Sequence, residues 1–214
     1  MSVVIAFSGG CFSGKTTAAF VVKSYLENAG HKVVVLDELI RTATDKPIDE
    51  IRKNPAEYLK LQETIVRGKI EQEIKAFADT NSVVYLADRA ITDSLFYLQN
   101  YVDKSSLSDE EIIRFCNLHK DVIQHAKYAF SDAGYFSVIE FKPLCGENTD
   151  KFRPKHINHS KEYEHDAIRA LNLSFETYSS VPFIKHVDMN VEDVYDLAVS
   201  VVKLLKYHRN GKAL

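Results

Sequence analysis

Gly9-Gly10-Cys11-Phe12-Ser13-Gly14-Lys15-Thr16 is the stretch that decides the fold. Its spacing, Gly-x-x-x-x-Gly-Lys-Thr, is the phosphate-binding loop pattern. An apolar run at 3–7 precedes it and is typical of a buried parallel strand, while the residues from 16 to 26 predict a helix. A strand before the motif and a helix after it are the context in which this motif binds phosphate, and both are predicted here. The sequence therefore predicts a binding site for a nucleoside triphosphate.

Each residue type in this loop has a chemical reason. Glycines let backbone N–H groups curve around phosphate oxygens, and the helix N-terminus adds its positive dipole end. Lys15 would reach the β- and γ-phosphates of ATP, and the Thr16 hydroxyl would hold Mg²⁺. The predicted nucleotide-binding residues are Gly9, Gly10, Cys11, Phe12, Ser13, Gly14, Lys15, Thr16 and Thr17.

The composition limits the class of protein. The chain has 214 residues, of which 45% are hydrophobic and 27% charged, and this fits a single α/β domain over residues 1–214. A net charge of −3 gives no general attraction to nucleic acid. No signal peptide or membrane-spanning run is visible, and the three cysteines suggest neither a zinc site nor a disulfide framework. We therefore expect a cytoplasmic protein without a membrane partner.

Hydrophobic periodicity predicts further strands and helices in alternation, which is typical of a parallel sheet with right-handed crossovers. Helix one should run to about Ala29, with Gly30 as its stop. Residues 42–54 predict a loop with a short helix. The later strands are expected at 31–36, 82–87, 135–140 and 183–187, and the later helices begin near residues 55, 90, 108, 162 and 191.

Charged side chains follow the second and third strands, where ligands of open α/β sheets bind. Asp37 and Glu38 would face a substrate, although a solvated acidic pair is the alternative. Asp88 is placed to hold Mg²⁺, and Arg89 could bridge phosphates. Asp93 would either contact the ligand or cap the next helix, a role that Thr92 could also take.

A basic loop interrupts the pattern after the fourth strand. Residues 143–161 are polar and form a lid-like insertion, and within it Arg153 is the best candidate to neutralise phosphate charge. A solvated loop is the alternative. Arg169 could also face phosphate, or could pair with a neighbouring acid. The side chains that could form the walls of a second substrate's pocket are Tyr58, Gln62, Arg67, Phe96 and Tyr97. A place in the core or on a helix surface is an equally open alternative for these five.

Together these motifs resemble the nucleoside and nucleotide kinase branch of P-loop proteins, with thymidylate-kinase-like and deoxynucleoside-kinase-like enzymes the nearest. The chain is also similar to the kinase domain of the bifunctional nicotinamide-nucleotide regulator family, in which Glu-x-x-Arg follows strand two, as Glu38 and Arg41 do here. The run from Asp88 to Tyr97 looks like the Asp-Arg-…-Asp-Ser-…-Tyr segment of those kinases.

The resemblance implies an α/β P-loop NTPase fold, with a five-stranded parallel sheet, helices on both faces and a lid loop. It implies ATP, Mg²⁺ and in-line transfer of the γ-phosphoryl group to a nucleoside or nucleoside monophosphate, with a pyrimidine deoxynucleotide favoured. Glu38 or Asp37 would contact the acceptor hydroxyl, and Lys15, Arg89 and Arg153 would neutralise phosphate charge.

Two other functions stay open at this point. Some viral relatives phosphorylate modified pyrimidines within DNA, and the basic loop is compatible with a nucleic-acid acceptor. A regulatory nucleotide-binding NTPase is the other alternative, although the guanine-specificity motif Asn-Lys-x-Asp is absent. The sequence also leaves open whether the chain forms a homodimer.

Overall fold

A computed structural model describes residues 2–11, 13–36, 38–143, 160–176, 183–186 and 191–209. In this described part, the strands β1 to β5 are Val3–Ser8, Lys32–Leu36, Val83–Asp88, Ser137–Phe141 and Phe183–His186. The helices α1 to α8 are Lys15–Asn28, Ile40–Ala43, Ile48–Ile51, Pro55–Ala78, Ile91–Tyr101, Asp109–Ala129, Lys161–Glu176 and Val191–Arg209. The predicted α/β class with a parallel sheet flanked by helices is confirmed.

The sheet has the strand order β2-β3-β1-β4-β5, and every neighbouring pair is parallel. The strand that precedes the phosphate-binding loop is therefore central. Phe7 is paired with Asp88 of β3, and Ser8 with Glu140 of β4. This register places the loop between the carboxyl ends of two neighbouring strands, where their side chains can reach a bound phosphate.

The central strand is buried on both faces, as its uninterrupted apolar sequence predicts. Val4 and Ala6 belong to a core shared with α4, α5, α6 and α7. Ile5 and Phe7 belong to a second core shared with α1 and α8. The sheet thus lies between two helical layers, and this fixes the position of the loop that follows β1.

Local signals explain where the long helices begin and end. At α4, the Asn54 side chain accepts a hydrogen bond from the Glu57 backbone amide, and Pro55 occupies the first turn. At α6, Ser108 and Glu111 form the predicted capping box. At α1, Gly30 adopts a φ of 83° beyond the last turn, as expected of a helix stop.

Two regions differ in detail from the sequence expectation. Residues 42–54 were expected to hold one short helix, whereas α2 and α3 both fall in or beside this stretch. Strand β4 begins at Ser137 instead of residue 135 because the Tyr135 amide is used in a turn, donating to Ala129 O at 2.6 Å. Neither difference moves the carboxyl ends of the strands.

Candidate active site

Two glycines shape the loop between β1 and α1. Gly9 has a φ of 140°, which L side chains rarely adopt, and a Cβ there would lie 2.4 Å from the Phe141 carbonyl oxygen. Gly14 has a φ of 79° and immediately precedes α1. The loop can therefore follow this path only with glycine at its first position.

We expect Gly9→Ala to weaken binding of AMP-PNP by roughly tenfold, because backbone strain and the Phe141 contact both displace the loop. Gly30→Ala is the matched control. Gly30 also has a positive φ, of 83°, but no heavy atom lies within 4 Å of the added Cβ. Calorimetric titration of both variants provides the measurement, and equal affinities would contradict the assigned role of Gly9.

Lys15 is buried in the loop and folds its ammonium group back over it. Its Nζ donates to Gly9 O at 2.8 Å, to Gly10 O at 2.6 Å and to Ser13 Oγ at 3.0 Å. Side chains at this motif position are expected to contact the outer phosphates. Three oxygens of the loop thus hold the Lys15 ammonium inside it, where a bound phosphate group is expected.

Thr16 and Asp88 meet across the β1–β3 pair. The Thr16 hydroxyl donates to Asp88 Oδ2 at 2.5 Å, and Asp88 is only 7% exposed. The other carboxylate oxygen, Oδ1, is buried and has no hydrogen-bond partner in the described part of the chain. A buried carboxylate oxygen without a donor is a costly arrangement unless a ligand completes it.

This pair fits a magnesium site. Mg²⁺ takes oxygen ligands and is usually bound by one or two protein groups together with substrate phosphates and water, so a hydroxyl and a carboxylate suffice. Among the described residues, no group of three or more His, Cys, Asp or Glu side chains could hold a metal by itself. The predicted Mg²⁺ ligands, Thr16 and Asp88, do not form such a group, because ATP and water would supply the remaining ligands.

Arg89 is held among acidic and aromatic groups beyond β3. It has a positive φ of 94°, and its amide donates to Phe7 O at 2.9 Å. The guanidinium lies 3.6 Å from Glu38 and 3.6 Å from Asp93, with its Cζ 5.0 Å from the Tyr97 ring centroid. Although burial opposes the charged form, these neighbours raise the pKa of Arg89 well above its usual value, so it remains a cation.

Asp93 connects the phosphate-binding loop to α5. It is fully buried, and accepts hydrogen bonds from Ser8 Oγ at 2.6 Å and from the Gly9 amide at 3.2 Å. Burial raises its pKa, and the charges of Lys15 and Arg89 offset only part of that rise. Asp93 thereby fixes the end of β1 and the first residue of the loop.

The expectation that Thr92 or Asp93 caps α5 is wrong. The N-cap residue is Ala90, and no side chain caps this helix. Thr92 instead donates to the side chain of Asn172 on α7. Both polar side chains are used in long-range contacts because the helix N-terminus is buried beside the sheet.

Glu38 lies next to Arg89 at the end of β2. It accepts a hydrogen bond from Arg41 Nε at 3.0 Å, and its side chain is 9% exposed. Two guanidinium groups therefore hold this carboxylate in place. Sequence reasoning paired Asp37 with Glu38 as candidates for contact with the acceptor; Asp37 lies outside the described residues.

A pocket that is partly open to solvent lies beside the loop, and the centre of a water-sized sphere can occupy about 60 Å³ within it. Its walls come from the phosphate-binding loop, the ends of β2 and β3, and helices α2 to α5. The lining residues are Cys11, Glu38, Leu39, Ile40, Ile48, Tyr58, Gln62, Ile65, Lys69, Asp88, Arg89, Ser94 and Tyr97. This pocket thus adjoins Asp88 and Arg89, two of the residues predicted to hold metal and phosphate.

Three of the five expected wall residues, Tyr58, Gln62 and Tyr97, line this cavity. The other two occupy the alternative positions, on a helix surface and in the core. Arg67 is 56% exposed on the outer face of α4, where it pairs with acidic side chains, and Phe96 is packed in the core. Helical periodicity explains the difference. Arg67 faces away from the lining residues of α4, and Phe96 faces away from the lining residues of α5.

Sequence reasoning missed Glu164 and Lys69. Glu164 of α7 is fully buried, and its Oε1 accepts from the Cys11 amide at 2.7 Å and from the Tyr97 hydroxyl. No sequence signal marks it, because its partners are far away in the chain. Lys69 could have been found from its spacing, since it lies two helical turns after Gln62 on the same face of α4.

The remaining predicted residues lie either outside the described part of the chain or away from the cavity. Phe12, Asp37 and Arg153 lie outside the described residues, as does most of the lid-like insertion. Thr17 is exposed on the first turn of α1. Arg169 is 41% exposed and lies 3.9 Å from Glu140 Oε2, which agrees with the alternative that it pairs with a neighbouring acid.

None of the helices in the described part of the chain has the length and apolar character needed to cross a membrane.

A family model described as an AAA domain matches residues 4–172, which is well over half of the chain. Among solved structures, the crystal structure of NadR protein in complex with NAD and AMP-PNP is similar over 100% of this chain, with a TM-score of 0.58 and 14% sequence identity. The match covers 51% of that chain, so this chain spans about half of its length. No curated protein matches the sequence.

Proposed function

The chain belongs to this AAA domain family, and on that premise we propose that it is an ATP- and Mg²⁺-dependent kinase of nucleosides or nucleoside monophosphates. The observation that supports this function best is the cavity beside the phosphate-binding loop. Cys11 of the loop and Asp88 at the end of β3 line it together with Glu38 and Arg89. A regulatory NTPase needs a nucleotide site and an attacking water, but it does not need such a pocket for a second substrate.

In the proposed reaction, an acceptor hydroxyl oxygen bonds to the γ-phosphorus while the bond from that phosphorus to the β,γ-bridging oxygen breaks, and ADP leaves. In this proposal Glu38 orients the hydroxyl and accepts its proton. Lys15 and Arg89 neutralise the charge that develops on the phosphoryl oxygens. Thr16 and Asp88 would hold Mg²⁺, which would supply further neutralisation of the phosphate charge.

The mixture of apolar and polar side chains around the cavity suits a ring-bearing acceptor. Ile40, Ile48 and Ile65 offer apolar surface, and Tyr58 and Tyr97 add aromatic atoms to the lining. Small-molecule sites commonly combine such surfaces with a few fixed polar groups. The NadR structure contains NAD and AMP-PNP. For this chain we therefore propose ATP as the phosphate donor and a nucleoside-type acceptor.

The test is release of ADP from ATP and Mg²⁺ in the presence of nucleosides, nucleoside monophosphates and duplex DNA that contains modified pyrimidines. Acceptor-dependent release with a small molecule supports the proposal. Labelling of DNA from γ-labelled ATP, lost at raised salt, would indicate the nucleic-acid alternative. Slow hydrolysis that no acceptor stimulates would indicate a regulatory NTPase and contradict the proposal.

Glu38→Gln is expected to lower kcat by up to roughly 100-fold, because a misplaced acceptor hydroxyl loses its alignment with the γ-phosphate. Affinity for AMP-PNP should stay within about threefold, since the assigned role concerns the acceptor alone. The control is Glu57→Gln, which changes a glutamate that is exposed at the start of α4 and paired with Lys46. Equal turnover in both variants would remove Glu38 from the mechanism.

A further inference from the structure

Lys69 is a buried cation on the cavity wall that the proposed mechanism does not use. It is 7% exposed, and its Nζ lies 2.9 Å from Glu73 Oε1. Glu73 is the only hydrogen-bond or ion-pair partner that the described part of the chain provides for this ammonium group. A lysine ammonium has three N–H donors, so donors remain for a molecule in the cavity.

Glu73 is already shared among several donors. It accepts from His125 Nε2 at 2.7 Å and from the Tyr135 hydroxyl at 2.6 Å in addition to its contact with Lys69. Because this network lies behind the wall, it fixes the position of the Lys69 ammonium. A positioned donor of this kind can select between ligands that differ in one hydrogen-bonding group.

The surroundings of Lys69 favour a flat ring as its partner. Tyr58, Gln62, Ile65 and Lys69 are spaced four, three and four residues apart, so they form one stripe along α4. All four line the cavity. The stripe thus presents an aromatic face, an amide, an aliphatic surface and an ammonium group to the same ligand.

The formal charges around the cavity argue against a phosphorylated acceptor. Among its described lining residues, Glu38 and Asp88 are acidic and Lys69 and Arg89 are basic, so their formal charges cancel. A 5′-phosphate would bring roughly two negative charges, and the lining residues in the described part of the chain offer no excess of cations over carboxylates to receive them. Burying an uncompensated charge is strongly unfavourable, which favours an uncharged acceptor.

We propose that the acceptor is an unphosphorylated nucleoside with a ring carbonyl group, and that Lys69 donates a hydrogen bond to that carbonyl oxygen. This inference rests on the proposed kinase function and narrows its substrate. An ammonium group is only a donor, so a ring oxygen satisfies it while a ring amino group does not. Lys69 is thereby a specificity-determining residue.

The experiment measures initial rates of ADP formation by the full chain with thymidine, deoxyuridine, deoxyadenosine and their 5′-monophosphates. We expect kcat/KM for thymidine and deoxyuridine to exceed that for each monophosphate and for deoxyadenosine by at least roughly tenfold. Faster use of the monophosphates would overturn this inference and leave the proposed function standing. An absence of acceptor-dependent turnover across the panel would overturn the proposed function itself.

Lys69→Met tests the residue directly. We expect KM for thymidine to rise roughly 10- to 100-fold, while kcat and the affinity for AMP-PNP change by less than about threefold. Lys75→Met is the control, since Lys75 is on the same helix but 73% exposed. An unchanged preference for thymidine over deoxyadenosine in Lys69→Met would overturn the assignment.

A second variant guards against misfolding. Lys69→Met leaves Glu73 buried without its lysine, whereas Lys69→Met/Glu73→Gln removes both charges and keeps similar side-chain volumes. The double variant should show the same rise in KM for thymidine. A double variant that folds and retains the KM of the unmodified chain would refute the hydrogen bond from Lys69.

Discussion

Replacing Lys15 by alanine is expected to lower the rate of phosphoryl transfer by roughly 10²- to 10³-fold while the chain still folds. The ammonium group lies inside the phosphate-binding loop, against the backbone oxygens of Gly9 and Gly10. In the transition state it would face the negative charge that spreads over the transferred group. No other cation in the described part of the chain is enclosed by this loop, so no neighbour should replace it.

The fold should survive this substitution because the apolar cores do not depend on the ammonium group. The helix that carries Lys15 is anchored by Ala18, Ala19, Val22 and Leu26, which pack against the sheet. Lys23→Ala is the matched control, since Lys23 is on the same helix, has a side chain that is 36% exposed, and lies 3.8 Å from Glu27. Single-turnover rates and circular dichroism of both variants provide the measurement. Retained transfer in Lys15→Ala would refute the assignment of the loop.

The geometry of the phosphate-binding loop, the proposed donor half of the site, could be predicted from sequence because its parts are local. The loop motif spans residues 9–16, and short apolar runs identify the strands on either side of it in the sheet. The position of Asp88 beside Thr16 then follows from the rule that parallel strand ends share one edge. A contact between residues 72 positions apart was predictable since the topology brings the ends of β1 and β3 together.

The acceptor half could be predicted only in part. The stripe of lining residues on α4 follows from helical spacing, but the sequence does not say which face of a long amphipathic helix adjoins a cavity. The contacts of Glu164 with Cys11 and of Asp93 with Ser8 join residues 153 and 85 positions apart. Their partners are set by the packing of α7 and α5, for which no short motif exists.

The buried network around Glu73 is the clearest case of such long-range packing, and it carries the second large expectation. Glu73→Gln should lower the free energy of unfolding by about 3–5 kcal/mol, because it leaves the Lys69 cation buried without a carboxylate. For a chain of this size, the loss corresponds to a melting temperature lowered by about 6–20 °C. Glu71→Gln is the control, since Glu71 pairs with Lys75 on the same helix at the same spacing but is 68% exposed. The melting temperature of Glu71→Gln should equal that of the unmodified chain.

The pH dependence distinguishes a charge effect from a change of shape. Although burial raises the pKa of Glu73, its contacts with Lys69, His125 and Tyr135 outweigh that effect and hold the pKa below the usual value of 4.5. A carboxylate with a lowered pKa in the folded state stabilises the fold above the pKa of the unfolded chain, and this stabilisation is lost as pH falls through the folded-state pKa. The difference in stability between Glu73→Gln and the unmodified chain should therefore be full at neutral pH and shrink below about pH 4.

Lys69→Met/Glu73→Gln should regain part of the stability at neutral pH, since the buried cation is gone. A constant difference across this pH range, with no recovery in the double variant, would mean that Glu73 acts through packing instead of charge.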